Sequence, residues 1–247
     1  MNSELENLVA NYHVPESARE LIRSTSIVLL VGVAGAGKDT IKQRLLATGD
    51  YHHIVSHATR PPRENAGVME QDGVNYHFIT PDRAADMLRS NEYIEAKFVH
   101  GTVYGTSVAE IQQAHDDGKI AVTDIDVQGV AEYKAISDNV IAVFILPPNY
   151  EQWQRRIIDR YGSAGVDTAD LARRMRTAIG ELDEALAKQY YHYVVNEELD
   201  QAVKAVDSIA HHHDEFTTID SSFRIWAERL RTDLEAGLAK ERSTTQV

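Results

Sequence analysis

The 247-residue sequence contains no cysteine, which excludes disulfide bonds and thiolate metal sites. It also lacks a run of roughly 18 apolar residues, the length that a membrane-spanning helix requires. The first residues, MNSELENLVANYH, include acidic side chains but no basic stretch followed by an apolar one, so we expect no secretory signal. From these absences we expect a cytoplasmic protein without a membrane partner.

Basic residues are scarce: 25 Lys and Arg stand against 38 Asp and Glu, and the formal net charge is -13. Proteins that bind nucleic acid present a basic face, so we expect no nucleic-acid partner. The same negative charge repels phosphorylated molecules at long range. Any phosphate site must therefore be a local cluster of arginine, lysine and backbone N–H groups.

Apolar segments with the character of buried parallel strands alternate with segments of helical periodicity. The predicted strands are Ile27–Val31, Ile120–Thr123 and Val140–Leu146. The predicted helices are Thr40–Leu46, Arg83–Arg89, Val108–His115, Glu151–Arg160 and Leu171–Lys188. This alternation predicts an α/β fold with a parallel sheet that is flanked by helices.

Three segments fall outside the alternation. Residues 1–25 form an N-terminal extension that we expect to be helical, and residues 214–247 form a C-terminal helical extension. Residues 52–106 are rich in turn residues and short mixed strands (77–79 and 93–99), so we interpret them as an inserted substrate-binding subdomain.

Apolar residues of the C-terminal extension recur at helical spacing, which predicts a helix with one apolar face. These residues are Phe223, Trp226, Leu230 and Leu234. The face either packs on the rest of the domain or contacts a partner, so a monomer and a homodimer both remain open.

A glycine-rich segment, GVAGAGKDT, lies between the first predicted strand and the first predicted helix. This is the context of a phosphate-binding P-loop, in which glycines let the backbone N–H groups turn inward and a helix N-terminus adds its positive end. Lys38 would reach the β- and γ-phosphates of ATP. The predicted ATP-binding residues of the loop are Gly32, Val33, Ala34, Gly35, Ala36, Gly37, Lys38, Asp39 and Thr40.

Asp39 departs from the usual P-loop pattern, which places a serine or threonine directly after the lysine to ligate magnesium. A carboxylate at this position could bind Mg²⁺ but would also repel phosphate oxygens. Our hypothesis is that Thr40 contacts the nucleotide phosphates while Asp39 helps to hold metal or water.

Five further motifs follow the loop in order. They are Val55–Arg63 (VSHATRPPR), Glu70–Phe78 (EQDGVNYHF), Tyr93–Glu95 (YIE), Tyr104–Ser107 (YGTS) and Asp124–Gly129 (DIDVQG). Together with the loop they resemble the guanylate kinase family over roughly residues 26 to 210, and we assign residues 26–213 to this domain. The resemblance implies transfer of a phosphoryl group from ATP to GMP or dGMP with Mg²⁺, and a role in purine nucleotide metabolism.

The resemblance also implies a P-loop NTPase-type sheet, a GMP-binding subdomain in residues 52–106, and a helical lid with flanking helices at about 150–190. It implies that two arginines and two tyrosines grip the acceptor phosphate and that the other members of the set surround the guanine base. The set is Ser56, Arg60, Arg63, Glu70, Tyr76, Glu95, Tyr104, Thr106 and Asp126. Glu70 is aligned more loosely than the rest because a short insertion lies near it.

For the phosphate that is transferred, the resemblance implies four catalytic residues: Lys38, Arg156, Arg160 and Arg174. It places Asn196 near the adenine of ATP and Asp124 at the strand end that faces the metal and phosphates. Asp39, Thr40 and Asp124 are therefore the candidate Mg²⁺ ligands.

The residue types fit this chemistry in their own right. Arg60 and Arg63 can fork onto one phosphate because a guanidinium bonds phosphate bidentately. Glu95 can accept the N1 and N2 protons of guanine, which adenine lacks. A closing lid around residues 161–165 would exclude water.

Two alternatives stay open at this point. One is a related kinase for another phosphorylated small molecule, such as a ribose bisphosphate, and the other is a catalytically inactive binding module that recognises proteins. The guanine set argues against the first, and retention of Gly37, Lys38, Arg60 and Arg63 argues against the second. Neither His52, His53 and His57 nor the run 211–213 has the spacing of a metal site.

Overall fold

The computed structural model describes residues 2–65, 67–159, 167–212 and 221–244. Its contacts divide the chain into two compact units. The first unit comprises Met1–Ile27, Asp50–Thr123 and Glu132–Val140. The second unit comprises Val28–Gly49, Asp124–Ala131 and Ile141–Val247.

Helices and strands alternate along much of the chain. The helices are α1 (Asn2–Ala10), α2 (Glu16–Ser24), α3 (Lys38–Leu46), α4 (Pro81–Arg89), α5 (Val108–Asp116), α6 (Val127–Lys134), α7 (Tyr150–Asp159), α8 (Thr168–Leu186), α9 (Leu199–His212) and α10 (Ser221–Thr244). The strands are β1 (Ile27–Val31), β2 (Tyr51–His53), β3 (His57–Ala58), β4 (Glu64–Asn65), β5 (Val68–Met69), β6 (His77–Phe78), β7 (Tyr93–Val99), β8 (Thr102–Ser107), β9 (Ile120–Asp124), β10 (Ile141–Leu146) and β11 (Tyr191–Val195). In the described part of the chain, no helix has the length and apolar character needed to cross a membrane.

The second unit is built on parallel strands. Strand β10 lies between β1 and β11, with Val28 opposite Ile141 and Ala142 opposite Tyr191. Every residue of β1 and β10 is buried, as expected for parallel strands that are covered on both faces. Strand β1 ends at Val31, immediately before the phosphate loop.

The first unit contains a four-stranded sheet with the order β6-β3-β8-β7. Strand β8 is antiparallel to both β3 and β7, while β3 is parallel to β6. In the same unit β2 lies parallel to β9. The four-stranded sheet brings the motifs of residues 55–63, 70–78, 93–95 and 104–107 onto adjacent strands and the loops that join them.

The predicted α/β fold with a parallel sheet flanked by helices is confirmed. Strands Ile27–Val31 and Tyr93–Val99 have the predicted bounds, and the others shift by a residue. Strands β2 and β11 were not predicted, because histidine and tyrosine occupy most of their positions (YHH and YHYVV) and leave no long apolar run.

The apolar face predicted for the C-terminal helix lies on α10, and two of its four residues are buried. Leu230 and Leu234 are buried, as is Ala227 beside them, but Phe223 is 38% and Trp226 41% exposed. The reason is that these two aromatic residues line a cavity beside β11 and α9, whereas the rest of α10 packs on α8.

Candidate active site

The phosphate loop connects β1 to α3, which begins at Lys38. Two of its glycines cannot be replaced without a collision. Gly32 has a φ of 138°, and a Cβ there would lie 2.2 Å from the carbonyl oxygen of Ile145. Gly37 has a φ of 96°, and its Cβ would lie 2.2 Å from Nδ2 of Asn196. The positive φ and the close approach together explain why the loop needs glycine at both positions.

Three side chains hold the loop backbone in place. The indole of Trp153 donates to the Ala34 carbonyl at 3.0 Å, and Nδ2 of Asn196 donates to the Ala36 carbonyl at 2.8 Å. Arg156 donates in turn to the backbone carbonyl of Asn196 at 2.9 Å. Because Trp153 and Asn196 are buried, the loop is preorganised by contacts from β11 and α7.

These contacts refine the sequence predictions. Asn196, placed near adenine by resemblance, lies with its side chain on the loop backbone. Arg156 directs its guanidinium to backbone carbonyls, and burial lowers its pKa. Trp153 was missed, because one tryptophan on an amphipathic helix gives no local signal of its distant partner.

The loop forms one wall of a cavity of about 620 Å³ within the second unit. Its lining residues come from the loop, from Asp124 at the end of β9, from α7 and from the segment after β11. They are Ala34, Gly35, Gly37, Lys38, Asp39, Thr40, Asp124, Arg156, Asn196, Glu197 and Leu199. The ammonium group of Lys38 lies 2.5 Å from the Gly32 carbonyl oxygen at the edge of this cavity.

Lys42 stands between two of the candidate metal ligands. Its ammonium group forms an ion pair with Asp124 and lies 3.7 Å from a carboxylate oxygen of Asp39. Burial by itself would raise the pKa of Asp124, but the charges of Lys42 and Lys38 outweigh it and lower that pKa. Lys42 therefore offsets the extra negative charge that Asp39 brings to the loop.

Lys42 was missed by the sequence analysis, although a signal exists: it stands three residues after Asp39, the spacing of neighbours on a helix surface. Asp39, Thr40 and Asp124 all line the same cavity. Carboxylate and hydroxyl oxygens are ligands that Mg²⁺ prefers, so this donor set fits the ion.

Helix α8 brings Arg174 and Glu181 beside the loop. They line, with Ala34, a small cavity of about 120 Å³. Arg174 donates to Asp170, one turn earlier, at 2.9 Å. Burial raises the pKa of Glu181, the nearby Lys38 lowers it, and Asp126 raises it further. Glu181 was not predicted. Arg160 and the predicted lid residues 161–165 lie outside the described residues.

In the first unit, Arg60 lies at the centre of a polar cluster. Its guanidinium forms a two-pronged ion pair with Glu70 at 2.5 and 2.9 Å, and both side chains are only 8% exposed. Its Nε donates to the Tyr104 hydroxyl at 3.0 Å, and its guanidinium carbon lies 4.9 Å from the centroid of the Tyr76 ring. The arginine is thereby held in a single orientation.

Glu70 also accepts a hydrogen bond from the backbone N–H of Arg63 at 2.8 Å. The hydrogen bonds from Arg60 lower the pKa of Glu70 more than burial raises it. The structure thus brings Arg60, Glu70, Tyr76 and Tyr104 together with the backbone of Arg63, and makes Glu70 the partner that orients Arg60.

A second group of predicted residues forms a chain of hydrogen bonds across three segments. Thr106 on β8 donates to Glu95 on β7 at 2.9 Å, and its oxygen lies 3.3 Å from the Ser56 hydroxyl. The register explains the contact, because Glu95 is directly opposite Thr106 in the antiparallel pair. Thr106 is buried.

Asp126, the remaining member of the predicted guanine set, belongs to the second unit. Its carboxylate accepts a hydrogen bond from the backbone N–H of Gly129 at 2.7 Å, at the start of α6.

A histidine of the first unit pairs with a carboxylate and contacts a second histidine ring. A ring nitrogen of His77 lies 2.9 Å from Glu110, and the rings of His57 and His77 are 4.8 Å apart. Burial, with a smaller effect of His77, lowers the pKa of His57 to about 4. Among the described residues, no three His, Asp or Glu side chains are grouped so that they could hold a metal ion.

Comparison with known proteins adds three findings. The family model described as "Guanylate kinase" matches residues 24–213. A guanylate kinase of Syntrophotalea carbinolica is 35% identical over 189 residues, which cover 76% of this chain and 85% of that protein. A guanylate kinase of Clostridium perfringens is 35% identical over 185 residues, which cover 74% of this chain and 81% of that protein.

Among solved structures, the chain is similar to the crystal structure of guanylate kinase from Anaplasma phagocytophilum. The TM-score is 0.56 at 23% sequence identity, with 77% of this chain and 87% of that chain covered. At this identity the likeness supports the fold.

Proposed function

The chain belongs to the guanylate kinase family, and from this premise we propose that it transfers the γ-phosphoryl group of ATP to GMP, giving ADP and GDP. The observation that carries the proposal is that both halves of the required chemistry are built. A phosphate loop with Lys38 lines one cavity. In the first unit Arg60 is held by Glu70 and Tyr104, and Ser56, Thr106 and Glu95 are joined by hydrogen bonds.

The second unit would bind ATP. The backbone N–H groups of the loop and the N-terminus of α3 favour anions, and Lys38 adds a positive charge. Such local groups are needed because the chain as a whole carries a net charge of -13. Arg156 and Arg174 flank the loop and would stabilise charge on the transferred group.

The first unit would bind GMP. Arg60, with its orientation fixed by Glu70 and Tyr104, would offer the acceptor phosphate its positive charge and the guanidinium N–H that these partners and the Pro61 carbonyl leave over. Glu95 would accept the N1 and N2 protons of guanine, and the hydroxyls of Ser56 and Thr106 would complete recognition of the base. Adenine would leave the Glu95 carboxylate without those protons, which is costly for a site built to hydrogen-bond its substrate.

The reaction needs no nucleophilic side chain. An oxygen of the GMP phosphate forms a bond to the γ-phosphorus while the bond from that phosphorus to the β-phosphate oxygen breaks, and ADP leaves. The protein's part is to align the two phosphates and to neutralise charge. Mg²⁺, held by Asp39, Thr40 and Asp124, would neutralise phosphate charge when bound. We propose a cytoplasmic location as well.

The test is a coupled assay of ADP release with ATP, Mg²⁺ and, in separate reactions, AMP, CMP, UMP, GMP and dGMP. We expect GMP and dGMP to be phosphorylated, with kcat/KM for the other acceptors lower by at least ~100-fold. Equal rates with all acceptors would contradict the assignment of guanine. ATP binding without turnover of any nucleotide would instead indicate an inactive binding module.

Two lysine variants control the assay. Lys38→Ala removes the lysine of the phosphate loop and should abolish turnover with every acceptor. Lys188→Ala makes the same change at an exposed residue after α8 and should leave every rate unchanged.

A further inference from the structure

We propose that Tyr12, in the N-terminal segment that precedes the region matched by the family model, is a positioning residue that fixes strand β7 and thereby sets the affinity for GMP. The inference rests on the proposed function, because its consequence is the placement of Glu95. It assigns a role to residues 2–12, which lie before the first motif and before the region that the family model matches.

The observation is a double hydrogen bond from one hydroxyl to one residue of β7. The Tyr12 hydroxyl donates to the backbone carbonyl of Tyr93 at 2.5 Å and accepts from the backbone N–H of Tyr93 at 3.0 Å. A tyrosine hydroxyl has a single proton to donate, so its donor is used entirely here. Among the described strands, β7 is at the edge of its sheet and pairs only with β8. The side chain of Tyr12 supplies contacts that a further strand would otherwise make.

Tyr93 is the point where the strand pairing is irregular. The register between β7 and β8 shifts between Tyr93 and Glu95. An irregularity of this kind leaves backbone groups unpaired and bends the strand, so it re-aims the side chains that follow. Glu95 comes two residues later and faces Thr106. The Tyr12 hydroxyl therefore fixes the backbone just before the carboxylate that would recognise guanine.

The position of Tyr12 is itself set by packing. Leu5 of α1 is buried in a cluster with residues of α4, β7 and β8, and Leu8 and Val9 pack against the same cluster. Glu4 also pairs with Arg89 of α4 at 2.5 Å. The Tyr12 ring meets the Tyr93 ring edge-on, with centroids 6.4 Å apart. The packing of α1 therefore fixes the position of the Tyr12 hydroxyl.

Ionisation does not disturb the arrangement near neutral pH. Burial raises the pKa of Tyr12, with a smaller contribution of the same sign from Glu92, and the hydrogen bond to Tyr93 lowers it less. The hydroxyl therefore keeps its proton and its donor role across the pH range in which the enzyme would be assayed.

The test is Tyr12→Phe, which keeps the ring and its packing and removes only the hydroxyl. We expect KM for GMP to rise roughly fivefold to tenfold, because this is the change in affinity that corresponds to the loss of about one net hydrogen bond. KM for ATP and kcat should stay within about twofold of the wild type, because the phosphate loop is untouched. The amide of Tyr93 should exchange with solvent faster in the variant, which hydrogen exchange can measure without turnover.

The matched control is Tyr193→Phe, which removes a buried hydroxyl on β11 in the second unit and should leave KM for GMP unchanged. An unchanged KM for GMP in Tyr12→Phe would overturn the inference. A variant in which KM rises equally for both substrates and kcat falls would overturn it as well. Failure of the proposed function is a separate result, since it would show as no GMP turnover by the wild-type enzyme.

Discussion

Replacing Glu70 by glutamine tests whether Arg60, the arginine that we propose binds the acceptor phosphate, depends on its buried partner for its orientation. In the structure the carboxylate of Glu70 accepts hydrogen bonds from both terminal nitrogens of the Arg60 guanidinium and from the backbone N–H of Arg63. Glu70→Gln keeps the size of the side chain but removes its charge and turns one acceptor into an N–H₂ group. In either orientation of the amide that group faces a guanidinium N–H of Arg60, and in one orientation it also faces the backbone N–H of Arg63, so a donor meets a donor.

The magnitude follows from burial and charge. Both side chains of the pair are 8% exposed, so the interaction is weakly screened, and a hydrogen bond to a charged group contributes about 1.5–3 kcal/mol. Breaking a buried ion pair on one side costs about 3–5 kcal/mol. Since glutamine keeps one acceptor, we expect the free energy of unfolding to fall by about 2 kcal/mol. We expect KM for GMP to rise about tenfold, which corresponds to about 1.4 kcal/mol.

The contribution of Glu70 to folding stability depends on pH in a direction that follows from its pKa. The pKa of Glu70 is lowered in the folded protein by its hydrogen bonds from Arg60, against the opposing effect of burial. A carboxylate whose folded pKa is below its unfolded value contributes stability that is fully present above the unfolded pKa. The contribution is lost as the pH falls through the folded pKa. The stability difference between wild type and Glu70→Gln should therefore be constant near neutral pH and shrink under acid conditions.

Thermal or urea unfolding and the coupled ADP-release assay measure both effects. Glu64→Gln is the matched control, because Glu64 is an exposed residue of β4 close by in the sequence, and we expect no change in either measurement. If Glu70→Gln keeps the wild-type KM for GMP and the wild-type stability, the idea that Glu70 orients Arg60 is refuted.

Three further changes probe the phosphate loop. Gly37→Ala should abolish ATP binding measured by calorimetry, because its Cβ would lie 2.2 Å from Asn196. Gly49→Ala is the control, since Gly49 has a similar φ of 91° but nothing within 4 Å of its Cβ position. This variant should lose stability and keep ATP binding. Trp153→Phe removes the hydrogen bond to the loop and should raise KM for ATP roughly threefold to tenfold with KM for GMP unchanged; equal KM values for ATP in both enzymes would contradict this. Asp39→Ser should shift the Mg²⁺ dependence of the rate, and an identical magnesium titration would remove Asp39 from the candidate ligands.

Some of the site could be predicted because it depends on residue type at short spacing. The phosphate loop and the pair Arg60 and Arg63 are of this kind, as is the run of apolar residues in β1. Their chemistry requires a fixed local arrangement, so it leaves a fixed local pattern. Glu95 was assigned to guanine by the family resemblance, and this role stays a prediction.

The contacts that hold these residues in place could not be predicted in that way. The bonds from Trp153 and Asn196 to the loop span 119 and 160 residues of sequence. They depend on where the tertiary fold places α7 and the end of β11. The periodicity of side chains along the sequence does not indicate which distant residue a given side chain will contact. Strands β2 and β11 were missed for a related reason, since tertiary burial accepts histidine and tyrosine where a local apolar pattern does not.

The sequence by itself therefore determined the family, the phosphate loop and the residue types that would meet ATP and GMP. Only the tertiary structure decided which groups hold them: Glu70 on Arg60, Lys42 on Asp124, and the Tyr12 hydroxyl on β7. The physical reason is that a ligand-binding motif is constrained by the shape of its ligand. The supporting contacts are constrained only by the packing of this particular chain.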